Sequence, residues 1–272
     1  MPFVPDPDSA ELLDAHDRLL RGDPEVVVAD DVVVQDGLWL AVFGEDGFVS
    51  HRALAERSGT ALDALVAGVI SHFVARGISE FEWKTRSHDV GNDDLVAALL
   101  RAGLVAEPVE TVMIGETTTL MTPVAVPDPL VLRKAGTDGH DLSDDVEAVD
   151  ALHAAVFEHH QQRFSERLMA ELTERPDLRQ LWLVSDGAQV LSAGRVEFSG
   201  PVAGLFGGAT LPQWRGRGLY RAMTAARAAS AAQAGCALMY AECTPFSEPI
   251  LRSAGLRAIT TTTPYLWRRP GR

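Results

Sequence analysis

Apolar positions along the chain alternate between the two-residue period of strands and the longer period of helices, and the runs recur twice in one order. In the first half, residues 80–85 read as a strand, 93–104 as a helix ending in Ala102-Gly103-Leu104, and 111–114 as a further strand. In the second half, residues 237–243 read as a strand, 247–252 as a helix leading into Ala254-Gly255-Leu256, and 260–267 as a last strand. Helical periods also cover 61–76, 146–163 and 219–234. Between the halves stands an extended connector at 122–129, which carries Pro123, Pro127 and Pro129. The repeated order predicts a tandem pair of similar domains, 1–122 and 130–272, although a glycine helix stop followed by an apolar residue also arises by chance.

The second half carries a segment with its own chemistry. The apolar run 203–210 is followed by Gln213-Trp214-Arg215-Gly216-Arg217-Gly218-Leu219-Tyr220 and then by the alanine-rich stretch. That order reads strand, basic glycine loop, helix. A helix N-terminus presents unpaired N–H groups and a partial positive charge, and glycines let a phosphate approach the backbone. The loop lacks the Gly-Lys-Ser/Thr ending of a Walker loop and the three glycines of a dinucleotide loop. Gln-x-x-Gly-x-Gly in this context resembles the coenzyme A pyrophosphate loop of the GCN5-related N-acetyltransferase (GNAT) family. The strand, helix and closing strand downstream extend the likeness over about residues 130–270, and more faintly over 1–120.

The resemblance implies an α/β (α+β) fold, two GNAT-like domains, each a mixed, mostly antiparallel sheet flanked by helices. It also implies acetyl-CoA as the acyl donor. Pantetheine would lie between splayed strands against the backbone of Ala209, Thr210 and Leu211. Arg215, Gly216, Arg217, Gly218 and Leu219 would hold the pyrophosphate, with Tyr220 in the first helical turn and Thr244 as a further coenzyme contact. Ordinary surface arginines on a solvated turn are the alternative for Arg215 and Arg217. The corresponding loop of the first half, 50–60, has a single glycine and no such motif, so that half is expected to be a degenerate, noncatalytic domain that walls the acceptor cleft.

Acetyl transfer to an amine needs a base, usually a carboxylate near the cleft. Residues 202–210 contain no Asp, Glu or His. Glu242 is the nearest alternative: strand alternation places it on one face with Tyr240 and Thr244, opposite Met239, Ala241 and Cys243. A structural ion pair serves for Glu242 equally well. Glu197 is the second candidate, with plain surface exposure as its alternative. Family members often carry a tyrosine four residues before the closing glycine, as the acid for the departing thiolate; here that position is Leu251. His153, His159 and His160 read as a solvated helix face, and no metal site is expected because no carboxylate organises them.

Composition narrows the partners. A formal charge of −14 over 272 residues argues against nucleic acid and favours a basic or neutral amine. No apolar run approaches the ~20 residues of a membrane span, and the N-terminal residues lack the pattern of a signal peptide, so a cytoplasmic protein without a membrane partner is expected. Cys236 and Cys243 stand at the two ends of one strand, on the order of 20 Å apart, and are expected to be reduced. The reading is therefore an N-acetyltransferase acting on a small-molecule or peptide amine, with room for a homodimer. A coenzyme-binding pseudoenzyme and a binder of another nucleotide are the alternatives.

Overall fold

The computed structural model describes residues 5, 6, 9–52, 54, 57–157 and 164–270. In chain order the elements are α1 (Ala10–Leu20), β1 (Asp31–Gln35), β2 (Leu38–Phe43), β3 (Asp46–His51), α2 (Thr60–Ala75), β4 (Glu80–Arg86), α3 (Asn92–Arg101), β5 (Val105–Ala106) and β6 (Glu110–Glu116). There follow α4 (Thr117–Leu120), β7 (Val131–Lys134), α5 (Leu142–Val156), α6 (Phe164–Glu174), β8 (Arg179–Ser185), β9 (Val190–Ser199) and β10 (Val202–Thr210). The last elements are α7 (Leu219–Gln233), β11 (Leu238–Cys243), α8 (Glu248–Ser253) and β12 (Arg257–Arg268).

The chain forms two compact units, each a mixed sheet flanked by helices. Unit 1 comprises Met1–Val112, Cys243–Phe246 and Ala258–Arg272; unit 2 comprises Met113–Glu242 and Ser247–Arg257. In unit 1 the strand order is β1-β2-β3-β4-β12, with β5 paired to β12. In unit 2 it is β6-β11-β10-β9-β8-β7. β3 pairs parallel with β4 and β10 with β11, and each of these pairs is joined by a crossover helix, α2 or α7. The units thus repeat one plan.

They divide the chain differently from the expected 1–122 and 130–272. The final strand falls with unit 1, and β6 from Met113 onward falls with unit 2. Each unit takes its closing strand from the other half of the sequence. The side chains supply the reason: Trp267 of β12 stacks on Phe81 of β4 at 5.4 Å, and Phe81 stacks in turn on Phe73 of α2 at 4.7 Å. These rings, with Trp83, Leu40 and Val49, are the core of unit 1, and burying each aromatic side chain contributes roughly 1.5–3 kcal/mol.

Unit 1 also buries charge. Arg21 at the end of α1 donates to both carboxylate oxygens of Asp89 (2.8 and 2.7 Å) and to the His51 carbonyl (2.7 Å). Glu25 accepts from Arg86 and Ser50. Burial pushes the Glu25 carboxyl up, but the Arg86 and Lys84 charges and these hydrogen bonds outweigh it and hold it at about 2. A carboxyl depressed in the folded state adds stability above its unfolded value and loses it as pH falls through the folded one. Stability is therefore expected to drop between pH about 4.5 and about 2, with a share for Glu25 on the order of 3 kcal/mol. Denaturation across that range should show a shallower slope in Glu25→Gln; an unchanged slope would refute the assignment.

In unit 2, α5 and α6 lay Val146, Val149, Leu152, Leu168 and Leu172 over Leu181, Leu183 and Leu191 of the sheet. Asp145 of α5 ties that helix to β7, accepting from Arg133 through both oxygens at 2.6 and 2.5 Å and from the Gly136 N–H at 2.9 Å. Helix α7 buries Ala222, Ala225, Ala228 and Ala231 in one stripe. Small side chains at this spacing let α7 lie against β9 and β10, which brings its N-terminus beside the end of β10. No helix among the described residues is long and apolar enough to cross a membrane.

Candidate active site

Strands β10 and β11 pair only from Val202↔Leu238 to Gly204↔Tyr240, although β10 continues to Thr210 and β11 to Cys243. Past those pairs the two strands part. On the other side of β10 the pairing with β9 shifts register between Phe206 and Ala209, which marks a bulge. Gly207 lies in it with φ +58°, a conformation that favours glycine. Gly208 follows, where an added Cβ would stand 2.8 Å from the Tyr220 ring. The parting of the strands, the bulge and the start of α7 are neighbours in unit 2.

Above the opening, Pro212–Trp214 forms a single tight turn and Gly216 and Gly218 follow with φ +74° and +83°. Gly218 is the N-cap of α7, and no side chain caps the helix. The first backbone bond here runs from the Ala222 N–H to the Gly218 carbonyl, so the helix end presents its preceding N–H groups outward. Nothing lies within 4 Å of a Cβ built on Gly216. This is an open cradle suited to an anion. Arg215 is exposed, with its Nε donating to the Thr210 carbonyl at 3.2 Å. Arg217 is exposed and rests on the Trp214 ring, its guanidinium carbon 4.6 Å from the centroid. Arg221, one turn into α7, reaches a cavity of about 210 Å³ walled by Thr119, Thr224, Ile250 and Leu251.

The expected coenzyme contacts divide. Leu219 is buried in the core as the first helical residue. The Leu211 N–H bonds to the Leu191 carbonyl at 2.9 Å, and its own carbonyl accepts from Trp214 at 2.8 Å, so its backbone is engaged within the protein. Ala209 and Thr210 remain at the parting. The Ala209 carbonyl accepts from the Ser192 hydroxyl, which also bonds the Thr210 hydroxyl. Thr244 is exposed beyond the end of β11 and falls with unit 1.

Glu242 stands on β11 just past the last pair with β10 and is half-buried, as is Tyr240 two residues before it, while Met239, Ala241 and Cys243 are buried. The alternation matches the expected faces. Glu197 is placed differently: its carboxylate lies 3.2 Å from Arg179 Nε and 3.3 Å from Arg195 Nε, which makes it an ion-pair partner rather than a surface group. Leu251 is fully buried in the cavity wall.

His153 departs from expectation. It is buried, packs on the Phe157 and Phe164 rings, and donates from Nε2 to the Gly207 carbonyl at 3.1 Å. Its helix ends at Val156, and apolar packing of α5 on the sheet turns it inward. His159 and His160 lie outside the described residues. Neither cysteine is in a disulfide, both are buried, and burial pushes the Cys236 thiol up. Among the described residues no group of His, Cys, Asp and Glu is arranged to hold a metal ion. Sequence reasoning missed Arg221 and Arg227, although both lie at helical spacing after the glycine loop, one and two-and-a-half turns on.

No protein-family model and no curated protein sequence matches the chain. Solved structures do. A GCN5-related N-acetyltransferase from Kribbella flavida superposes with a TM-score of 0.67 at 16% identity, covering 97% of this chain and 96% of that one. The fold is that of the GCN5-related N-acetyltransferases. A tandem GNAT protein from the clavulanic acid biosynthesis pathway is similar at a TM-score of 0.58 and 13% identity, over 85% of this chain and 78% of its own. A functionally unknown conserved protein from Staphylococcus epidermidis matches at 0.66 and 6% identity, over 91% and 98%. At these identities the likeness is one of GNAT architecture.

Proposed function

We propose that the protein is an acetyl-CoA-dependent N-acetyltransferase whose acceptor is a primary amine of a small molecule or peptide. The observation that carries this reading is the uncapped N-terminus of α7, with Gly216 and Gly218 both in the left-handed region, set beside the parting of β10 and β11. The residues fit the coenzyme. Backbone N–H groups and three arginines, Arg215, Arg217 and Arg221, suit a pyrophosphate. The parting gives pantetheine a path along Ala209 and Thr210, and acetyl-CoA supplies an activated thioester there. The amine attacks directly, and Glu242, at the parting, accepts its proton. Glu197 is the weaker base, since two guanidinium groups already engage its carboxylate.

The buried Leu251 at the usual acid position favours a second reading, a coenzyme A-binding pseudoenzyme with a regulatory role. Release of free thiol from acetyl-CoA, followed with a panel of amines, separates the two. Amine-dependent release supports the enzyme. Stabilisation against heat by coenzyme A without release supports the pseudoenzyme. Absence of both would refute coenzyme binding altogether. Localisation to the cytoplasm and a homodimeric state belong to the same proposal; sedimentation tests the latter.

A further inference from the structure

Tyr220, half-buried, and Arg227 lie seven residues apart on α7, two turns along the same face. Arg227 is fully buried. Its guanidinium donates to the Arg195 carbonyl at 3.0 Å and the Thr224 hydroxyl at 3.2 Å, and its Nε donates to the Met223 carbonyl at 3.3 Å. Its guanidinium carbon also lies 5.8 Å from the Tyr220 ring centroid, and the two side chains interact electrostatically. Among the described residues no carboxylate lies within ion-pair distance of it. A buried cation without an anion is costly, and here the one contacting group able to become an anion is the Tyr220 phenol. A guanidinium beside a phenol favours the ionised form.

The same ring faces the bulge. A Cβ on Gly208 would touch its edge at 2.8 Å and lie 3.6 Å from its hydroxyl oxygen. The hydroxyl thus lies beside Gly208 in the bulge of β10, the strand along which the reading above runs pantetheine. Leu251, at the position where a tyrosine acid is expected, has no proton to give. We propose that Tyr220 is the proton donor to the departing thiolate, with Arg227 as its positioning and charge-stabilising partner. The proposal rests on the acetyl-transfer reading. The amine lone pair forms the C–N bond at the acetyl carbon, and the C–S electron pair leaves on sulfur. Sulfur takes the Tyr220 proton, Glu242 takes the proton shed by the nitrogen, and after the products leave that proton returns to the phenolate through solvent. Amine and thioester become amide and thiol with no net change in protons.

The other charged or titratable groups at the bulge are His153 on α5 and Arg195 on β9, which approach Gly207 to 3.4 and 3.8 Å from its Cβ position. Arg195 is paired with Glu197, so Arg227 is the cation that acts on the phenol. The test begins without any ligand. The chain has three tyrosines, Tyr220, Tyr240 and Tyr265, and burial pushes the Tyr265 phenol up. Phenolate absorbance, followed from neutral pH to about pH 11, should show one tyrosine ionising below the usual value of about 10. That step should vanish in Tyr220→Phe, which keeps the ring and its packing. In thiol release, Tyr220→Phe should lower turnover on the order of 10²-fold, with coenzyme affinity unchanged within about twofold. Arg227→Lys, which retains a charge but not the fork, should raise the ionisation step and lower turnover less. Persistence of the low step in Tyr220→Phe, or its full turnover, would overturn the assignment. Wild-type protein that binds coenzyme A and releases no thiol would instead overturn the acetyl-transfer reading beneath it.

Discussion

Gly218→Asp is expected to reduce coenzyme A affinity by on the order of 10²-fold or more while the protein stays folded. Gly218 occupies the left-handed region at φ +83°, where Asp and Asn are the best tolerated of the other residues, at a cost of roughly 1–2 kcal/mol. An added Cβ meets only Arg221 Nη2 and Val124 Cγ1, both at 3.7 Å, which is ordinary contact. The new carboxylate would lie at the positive end of α7, where negative charge is favourable for folding, and beside the Arg221 guanidinium. It would take the place of the pyrophosphate and repel it. Gly218→Asn imposes the same backbone strain without the charge and should lose far less affinity, so the difference between the two isolates the electrostatic part. Calorimetry on both, with melting curves to establish folding, decides the matter; native affinity in folded Gly218→Asp would remove the phosphate role from this loop.

The strand, glycine loop and helix of the candidate site were legible because they are local backbone structure. Glycines flanked by arginines between an apolar run and an alanine-rich helix can only be read locally, and local pattern is what a sequence displays. The stripe of Ala222, Ala225, Ala228 and Ala231 likewise follows from helical period alone. The exchange of closing strands was not legible. Residues 111–114 and 260–267 have the same strand character, and nothing in their own pattern says which sheet they complete; the choice is made by Trp267 finding Phe81. The ion pairs of Glu197 are only partly legible for a related reason: Arg195 stands two residues away on the same strand, but Arg179 faces Glu197 across the β8–β9 register, which the sequence does not state. His153 reads as solvated beside His159 and His160 in the sequence, whereas α5, which carries it, ends at Val156 and packs it inward.

Glu242→Gln is expected to lower turnover by roughly 10²–10⁴-fold with coenzyme affinity nearly unchanged. The amide keeps the shape of the carboxylate and much of its hydrogen bonding, but it cannot accept the proton of the attacking amine. The position supports the role: Glu242 is half-buried on the first part of β11 that β10 has left, on the same face as Tyr240. A half-buried carboxylate with a purely structural partner would respond in the opposite way, with a lower melting temperature and turnover per folded molecule near that of wild type. Rate and stability are separate measurements, so the outcomes do not overlap. The pH profile adds a third readout, because removing the base should abolish the acidic limb of kcat/KM while leaving the alkaline limb, which belongs to the proton donor. If Glu242→Gln folds, binds coenzyme A and turns over normally, Glu242 is not the base, and the proton goes to solvent or, with the ion pairs of Arg179 and Arg195 broken, to Glu197.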